Sequence, residues 1–219
     1  MVLDDYRSTA DKFLLPMARK LKRVNPDHIS AVAIGLAFLA GLLFYLAGTW
    51  DWLLIFASVV IAVSALMDAL DGKVAKITGK ANLRGDFLDH VLDRYADIFI
   101  ILGITVSGYC HWFLGILGLT GVLMTSYLGT QTMAVGVKRD YGGILGRADR
   151  LVLLMFVPVI FWLLMYIWNI QTLFTVPYLD VPLTLFDLML IWFAIAGHFT
   201  AIQRGRRTWK ILTEKFGSR

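Results

Sequence analysis

Between positions 68 and 97 the chain reads Asp68-Ala69-Leu70-Asp71-Gly72-Lys73-Val74-Ala75-Lys76 and, after eight further residues, Gly85-Asp86-Phe87-Leu88-Asp89-His90-Val91-Leu92-Asp93-Arg94-Tyr95-Ala96-Asp97. These carboxylates lie within sequence that is otherwise strongly apolar. A charged side chain near the middle of a bilayer costs a few kcal/mol or more, so acidic residues at membrane depth indicate a functional site. We therefore expect the rest of the chain to hold, face or supply these side chains.

The composition is that of a membrane protein. Of the 219 residues, 58% are hydrophobic, whereas the apolar share of a soluble domain is near 45–50%. The excess comes from long apolar runs, which predict one integral membrane domain over residues 1–219. A single cysteine, Cys110, excludes an internal disulfide framework and a cysteine-based metal cluster.

The positive charges are confined to four blocks. All 21 Lys and Arg lie in residues 7–23, 73–94, 138–150 and 204–219. Positively charged loops stay in the cytoplasm, so this pattern predicts a multi-pass cell-membrane protein with six spans. Both termini and the carboxylates are then on the cytoplasmic side. The same distribution attributes the net charge of +5 to membrane topology and excludes nucleic acid as the expected partner.

The predicted fold class is all-α: six transmembrane helices preceded by an amphipathic helix on the membrane surface. We assign residues 1–28 to the amphipathic segment, with its helix from Asp4 to Arg23, and residues 29–212 to the bundle. Basic side chains alternate there with apolar ones, as expected of a helix bound to lipid head groups. The predicted spans are Ile29–Leu46, Leu53–Lys76, Arg84–Val106, His111–Gly136, Arg147–Trp168 and Leu183–Gln203, with the last helix continuing to Leu212.

The carboxylates form two stripes. Asp68 and Asp71 are three residues apart and share one helix face. A second stripe, with spacings of three, four and four, runs down the next helix. Because the link between these helices is short, we expect them to be antiparallel neighbours with facing stripes. Oxygen ligands without Cys or a His pair favour Mg²⁺, Mn²⁺ or Ca²⁺, in a site with one or two metals that would hold a diphosphate. The second stripe consists of Asp86, Asp89, Asp93 and Asp97.

Small and basic residues accompany the stripes. Gly72, Ala75 and Gly85 would let a ligand approach the backbone closely. Basic side chains beside them could contact phosphate oxygens. Two other interpretations are open at this point: a solvated helix end, and a cation pathway or other non-enzymatic cation site. The basic side chains are Lys73, Lys76 and Arg84.

The spacing D-x2-D-G-x2-A-[R/K]-x8-G-x3-D-x3-D resembles the signature of the CDP-alcohol phosphotransferase family. Lys76 stands where the family usually has Arg. The resemblance implies a transferase of phospholipid synthesis that uses two Mg²⁺ or Mn²⁺ ions and works as a homodimer in the lipid membrane. An alcohol would attack the lipid-linked phosphate of a CDP-lipid and release CMP. Membrane prenyltransferases also use Asp-rich motifs, but usually two of them on separate helix pairs.

The resemblance assigns roles by position. The carboxylate that deprotonates the acceptor hydroxyl would be Asp93, which would also bind metal. The remaining metal ligands would be Asp68, Asp71 and Asp89. The CDP group would contact Asp68, Gly72, Ala75, Lys76 and Gly85.

Residues 126–150 bear on the acceptor alcohol. Arg147 and Arg150 share a helix face and could clamp a phosphate monoester, assisted by Lys138 and Ser126. A Ser-Tyr pair and an Arg-x-x-Arg pair resemble the branch of the family that makes inositol-phosphate lipids. That branch has basic residues where this chain has Gly129 and Gln131, and Lys138 and Arg139 could substitute for them. We therefore rank the phosphorylated polyol acceptors as inositol 1-phosphate first and glycerol 3-phosphate second, followed by other alcohols.

Overall fold

The computed structural model describes residues 7–177 and 180–217. Helices dominate these residues, and one short hairpin of two antiparallel strands precedes the last helix. The elements are α1 (Arg7–Lys20), α2 (Pro26–Ala47), α3 (Leu53–Ile77), α4 (Leu83–Thr105), α5 (Trp112–Ala134), α6 (Arg147–Trp168), β1 (Phe174–Val176), β2 (Val181–Leu183) and α7 (Leu185–Phe216).

Six helices form a closed ring. Going round it, the packed neighbours are α2, α3, α6, α7, α5 and α4, and α4 packs on α2 to complete the circle. The core of the ring is filled by fully buried aromatic and aliphatic side chains, among them Phe44, Phe161, Phe186 and Phe193. Helix α1 lies outside the ring against α3, where Ala18 is buried with Leu70. The predicted all-α bundle with an additional N-terminal helix is therefore confirmed.

Glycines bring two helix pairs into backbone contact. A Cβ atom added to Gly103 of α4 would lie 2.2 Å from the carbonyl oxygen of Gly41 in α2. One added to Gly197 of α7 would lie 2.7 Å from the carbonyl oxygen of Gly121 in α5. Neither position has room for a side chain. Close packing through small residues is the usual way in which helices associate in lipid, where the hydrophobic effect does not drive them together.

Within the described residues, five helices are long and apolar enough to cross a membrane: α2, α3, α5, α6 and α7. Helix α4 has 23 residues and belongs to the ring, but acidic and basic side chains occupy its first half. Its polarity is what the carboxylate stripe predicts, because Asp93 and Asp97 are buried inside the bundle. The count of six spans stays a prediction.

The predicted boundaries agree with the helix ends to within a few residues. Asn25 accepts a hydrogen bond from the backbone N–H of Asp27 and caps α2, and Pro26 occupies the first helical position. The predicted amphipathic helix begins at Arg7 among the described residues, and its predicted start at positions 4–6 lies outside them. The hairpin is an addition, because residues 169–182 were expected to form a loop.

One expectation about helix packing was wrong. Helices α3 and α4 are consecutive, but within residues 53–105 they are not packed side by side; each packs on α2. Two facing rows of carboxylates repel one another at short range, and the apolar surface of α2 offers both helices a better partner. The space left between α3 and α4 at their shared end is where the acidic residues meet.

Candidate active site

Four carboxylates from two helices, with Asp97 as a fifth one turn further along α4, line one small cavity. Asp68 and Asp71 come from the end of α3, and Asp89 and Asp93 come from the start of α4. The cavity measures about 30 Å³, which is room for one or two water-sized groups. Asp71 is 7% exposed and Asp93 is 5% exposed. The structure thus brings together all four side chains that the sequence predicted as metal ligands.

Helix α2 contributes to the same cavity. The Ser30 hydroxyl donates a hydrogen bond to Asp71 Oδ2, and Ser30 lines the cavity beside it. About two turns before Asp71 in α3, Ser64 donates to the carbonyl oxygen of Ala33 at 2.8 Å and holds α3 against α2. These contacts place the Asp71 carboxylate between the helices.

Arg147, at the first position of α6, provides positive charge among the carboxylates. Its guanidinium lies 3.0 Å from Asp68 Oδ2 and also forms an ion pair with Asp93. The sequence predicted a role for Arg147 in binding the acceptor phosphate. The structure places it at the acidic cluster, in contact with one carboxylate from each acidic helix.

A second acidic–basic contact lies one helical turn deeper. Arg150 Nη2 is 3.2 Å from Asp97 Oδ2, and both residues are buried, with exposures of 2% and 7%. Arg94 lies 3.6 Å from the same Asp97 oxygen. The buried Nε atom of Arg150 has no hydrogen-bond partner among the described residues. Arg150, predicted as a phosphate ligand, is thus held by Asp97 and keeps one donor unused.

A large cavity opens from the carboxylates towards the predicted cytoplasmic side. Its volume is about 990 Å³, enough for a nucleotide and a second small molecule. The predicted CDP-binding residues Gly72, Ala75, Lys76 and Gly85 line one side of it together with Asp68. A Cβ atom added to Gly72 would meet no atom within 4 Å, so the backbone there borders open space.

Residues of α5, α6, α7 and the loop before α6 also line the large cavity. The predicted acceptor residues Arg147, Arg150 and Ser126 are among them, and Ser126 is buried. Lys138, also predicted, is exposed and does not belong to the cavity lining. Two further arginines that the sequence analysis did not select, Arg139 and Arg204, lie in the lining.

Arg139 and Arg204 were left out of the predicted acceptor set for different reasons. Arg139 is adjacent to Lys138, and the sequence alone does not show which of two neighbouring cations points inward. Arg204 is the first cation of the C-terminal basic block. Its signal was its position four residues after Thr200, on the buried face of a helix whose later cations are exposed.

His90 connects the acidic cluster with the loop between α5 and α6. Arg139 Nη1 is 2.7 Å from His90 Nε2, and its guanidinium carbon lies 4.9 Å from the centre of the Tyr141 ring. The His90 ring is also within 3.6 Å of Asp89 and 3.7 Å of Asp86. Loop, histidine and acidic helix thereby form one connected polar wall.

The donor set fits a divalent metal ion. Ligand atoms of Asp89, His90 and Asp93 lie within 4.8 Å of one another, and at that separation two carboxylates repel by about 3–4 kcal/mol at an effective dielectric constant of 20. Arg147 supplies one positive charge against the five carboxylates that line the small cavity. Hard cations such as Mg²⁺ and Mn²⁺ take oxygen ligands of this kind. A divalent metal is therefore plausible here.

Comparison with known proteins agrees with this geometry. The profile of the family described as CDP-alcohol phosphatidyltransferase matches residues 23–200. The archaetidylinositol phosphate synthase of Pyrococcus horikoshii is 33% identical over 138 residues, which are 60% of this chain and 67% of the relative. The synthase of the same name from Methanothermobacter thermautotrophicus is 29% identical over 211 residues, 96% of each chain.

The fold is also similar to that of a solved structure. The crystal structure of Mycobacterium tuberculosis phosphatidylinositol phosphate synthase with CDP-DAG bound has a TM-score of 0.71 at 23% identity, covering 90% of this chain and 94% of that one. The same enzyme has been solved in complex with manganese and citrate. The apolar helices and the family match together make this chain a multi-pass membrane transferase. The family predicted from the spacing of the aspartates is confirmed: the chain belongs to the CDP-alcohol phosphatidyltransferase family.

Proposed function

We propose that this chain transfers the lipid-phosphate group of a CDP-lipid to a hydroxyl of inositol 1-phosphate and releases CMP. The observation that carries the proposal is a single cavity lined by two sets of charged residues from different elements. Carboxylates of α3 and α4 lie where a diphosphate would be held through metal, and arginines of α6, α7 and the loop before α6 lie where a phosphate monoester would be held. Relatives named archaetidylinositol phosphate synthase support inositol phosphate as the acceptor.

The bonds exchanged are those of a phosphoryl-type displacement. The acceptor hydroxyl oxygen attacks the phosphorus that carries the lipid, and the bond from that phosphorus to the oxygen of the CMP phosphate breaks. CMP leaves with the electron pair of the broken bond. The hydroxyl proton passes to the carboxylate of Asp93, which lies at the junction of the small and large cavities. General-base assistance of this kind contributes about 10²–10⁴ in rate.

The metal would be held by Asp68, Asp71, Asp89 and Asp93, and we propose two ions of Mg²⁺ or Mn²⁺. When bound, they would neutralise the diphosphate and stabilise the charge that develops on departing CMP. Ser30 orients Asp71 through its hydrogen bond. The CDP group would lie over Gly72, Ala75 and Gly85, with Lys76 within reach of its phosphates.

The acceptor phosphate would lie against Ser126, Arg147 and Arg150, with Arg139 and Arg204 added to the predicted set. The unused Nε donor of Arg150 supports this assignment, because a buried cationic donor without a partner is costly. Arginines bind phosphate oxygens in a bidentate manner, which suits a small polyol that must be held by its phosphate. Glycerol 3-phosphate is the second acceptor, since it presents the same phosphate group.

The charge distribution supports a cytoplasmic site with both termini inside. Basic residues from three of the four blocks line the large cavity, including Lys80, Arg139 and Arg204, and positive loops stay in the cytoplasm. The homodimer implied by the family resemblance is likewise proposed.

The proposal is tested by CMP release from a CDP-lipid in detergent micelles with Mg²⁺. The acceptors are inositol 1-phosphate, glycerol 3-phosphate, free inositol and serine. We expect turnover in that order, with free inositol and serine near background. Isothermal titration of CDP with and without Mg²⁺ gives a readout of the donor site that does not depend on turnover. Absence of CMP release with every phosphorylated polyol, together with absence of CDP binding, would overturn the proposal.

A matched pair of variants tests the acceptor side. Arg204→Ala removes a buried cation from the cavity lining, whereas Arg206→Ala removes an exposed cation two residues away on the same helix. We expect Arg204→Ala to raise the acceptor KM at least tenfold, and Arg206→Ala to leave it unchanged. Equal acceptor KM values for the two variants would remove Arg204 from the acceptor site.

A further inference from the structure

One face of α7 holds the loop that connects α5 to α6. Thr200, Arg204 and Arg207 are spaced by four and three residues, so their side chains point in the same direction. All three contact the loop, which extends from Val135 to Gly146. The loop carries Arg139 and also leads directly into Arg147 at the start of α6.

Thr200 makes the most specific of these contacts. Its side chain is fully buried, and its hydroxyl oxygen accepts hydrogen bonds from two successive backbone N–H groups, those of Ile144 and Leu145, at 3.1 Å each. Gly143 has a φ of +139°, and a Cβ atom added there would lie 2.1 Å from Thr200 Cγ2. The loop backbone therefore rests directly on Thr200.

The two arginines hold the preceding part of the loop. Arg204 Nε donates to the carbonyl oxygen of Gly142 at 2.9 Å. Arg207 pairs with the Asp140 carboxylate at 3.1 Å, and Asp140 Oδ1 accepts the N–H of Gly142 at 2.7 Å. Within residues 140–145, hydrogen bonds or ion pairs thus join four residues to α7. The two that Thr200 holds are the ones closest in sequence to α6.

We propose that Thr200 is a positioning residue for the acceptor. It does not line the large cavity and acts through the loop: its hydroxyl determines where the loop lies and where α6 begins. That position in turn places Arg139 and Arg147 on the acceptor side. This inference rests on the proposed function, in which these arginines bind the acceptor phosphate. It assigns to α7 the role of holding Arg139 and Arg147 in position.

A threonine meets two requirements at this position. Two successive N–H groups, of which that of Leu145 is buried, point at the buried Thr200 side chain and need a hydrogen-bond acceptor there, since an unpaired backbone donor away from water is costly. The γ-methyl group fills the space against Gly143. Valine has nearly the same shape as threonine but lacks the hydroxyl oxygen. Thr200→Val therefore removes the hydrogen-bond acceptor of the two N–H groups with little change in packing. Thr200→Ser keeps the oxygen and removes the methyl group.

The test uses the full chain in detergent micelles. For Thr200→Val we expect about a tenfold rise in the KM of the phosphorylated polyol. The KM for CDP-lipid should stay within about twofold of wild type, because α3 and α4 pack on α2 and, within the described residues, make no extensive contact with α7. Thr200→Ser should restore the acceptor KM. Thr208→Val is the matched control, since that hydroxyl donates only to the Arg204 carbonyl oxygen within α7, at 3.0 Å.

Hydrogen–deuterium exchange gives a readout that does not need turnover. In Thr200→Val, peptides covering residues 140–146 should exchange faster, while peptides of α3 and α4 should keep the wild-type rate. An unchanged acceptor KM, or unchanged exchange over residues 140–146, overturns the proposal. A parallel loss of kcat and of both KM values in Thr200→Val and Thr200→Ser also overturns it, because that pattern is general destabilisation. If the wild-type chain uses no phosphorylated polyol, the proposed function fails, and the exchange measurement still tests the attachment of the loop.

Discussion

The buried ion pair between Asp97 and Arg150 allows a sharp test of how α6 is held against α4. Both side chains lie below the acidic cluster, with exposures of 10% for the Asp97 side chain and 3% for that of Arg150. Asp97→Asn leaves a buried guanidinium without its anion, and Arg150→Met leaves a buried carboxylate without its strongest cation. Loss of one partner of a buried pair costs about 3–5 kcal/mol, because the remaining charge stays desolvated.

The double variant should lose less stability than the two single variants together. Asp97→Asn combined with Arg150→Met removes both charges of the pair, so neither residue is left as a buried charge without its partner. We expect a coupling of at least about 1 kcal/mol, in the range measured for contacting residues. At about 2–4 °C per kcal/mol for a chain of this size, each single variant should lower the apparent Tm by roughly 6–20 °C.

The assay is thermal unfolding in detergent micelles, followed by the fluorescence of the seven tryptophans. Lys210 and Glu214 provide the matched control pair, since they lie 3.9 Å apart with side chains 80% and 65% exposed. The same double-mutant cycle on that pair should give a coupling of no more than about 0.5 kcal/mol. Additive losses at Asp97 and Arg150, indistinguishable from the control cycle, would refute the reasoning.

Three further outcomes are expected. Asp93→Asn should lower kcat by about 10²–10⁴ while CDP binding in calorimetry is retained; near-normal kcat would dismiss Asp93 as the base. Gly72→Val should abolish CDP binding by placing a side chain in the large cavity, whereas Gly35→Val, at another helical position with open space around it, should bind CDP normally. Burial, assisted by the Asp187 carboxylate, raises the pKa of the Cys110 thiol to about 12. Maleimide labelling of Cys110 should therefore be slow at pH 7 and rise about tenfold per pH unit up to pH 10, and a rate equal to that of Thr49→Cys, an exposed site, would contradict this.

Much of the fold follows from local properties of the chain. Long apolar runs and caps such as Asn25 determine where the helices start and end, and those boundaries were predicted to within a few residues. The strands at 174–176 and 181–183 were missed because three-residue strands have too little periodicity to separate them from a loop. The neighbours of each helix could not be predicted, since α2 offers an apolar surface to both α3 and α4.

The candidate site divides in the same way. Asp68, Asp71, Asp89 and Asp93 were found because their spacing along a helix determines which side chains share a face. The arginines could not be assigned in this way. Lys138 and Arg139 are adjacent in sequence, and only the path of the loop over α7 directs Arg139 to His90 and into the cavity.

By itself, the sequence determined the helices, the family and the acidic motif, because helix geometry converts residue spacing into a shared face without reference to the rest of the molecule. The tertiary structure alone decided that α2 separates the two acidic helices and that Arg147 contacts both of them. It also decided that α7 carries the loop of the acceptor side. Those arrangements depend on contacts between residues of different helices and loops, whose pairing is set by packing and charge in the folded ring and by no local pattern.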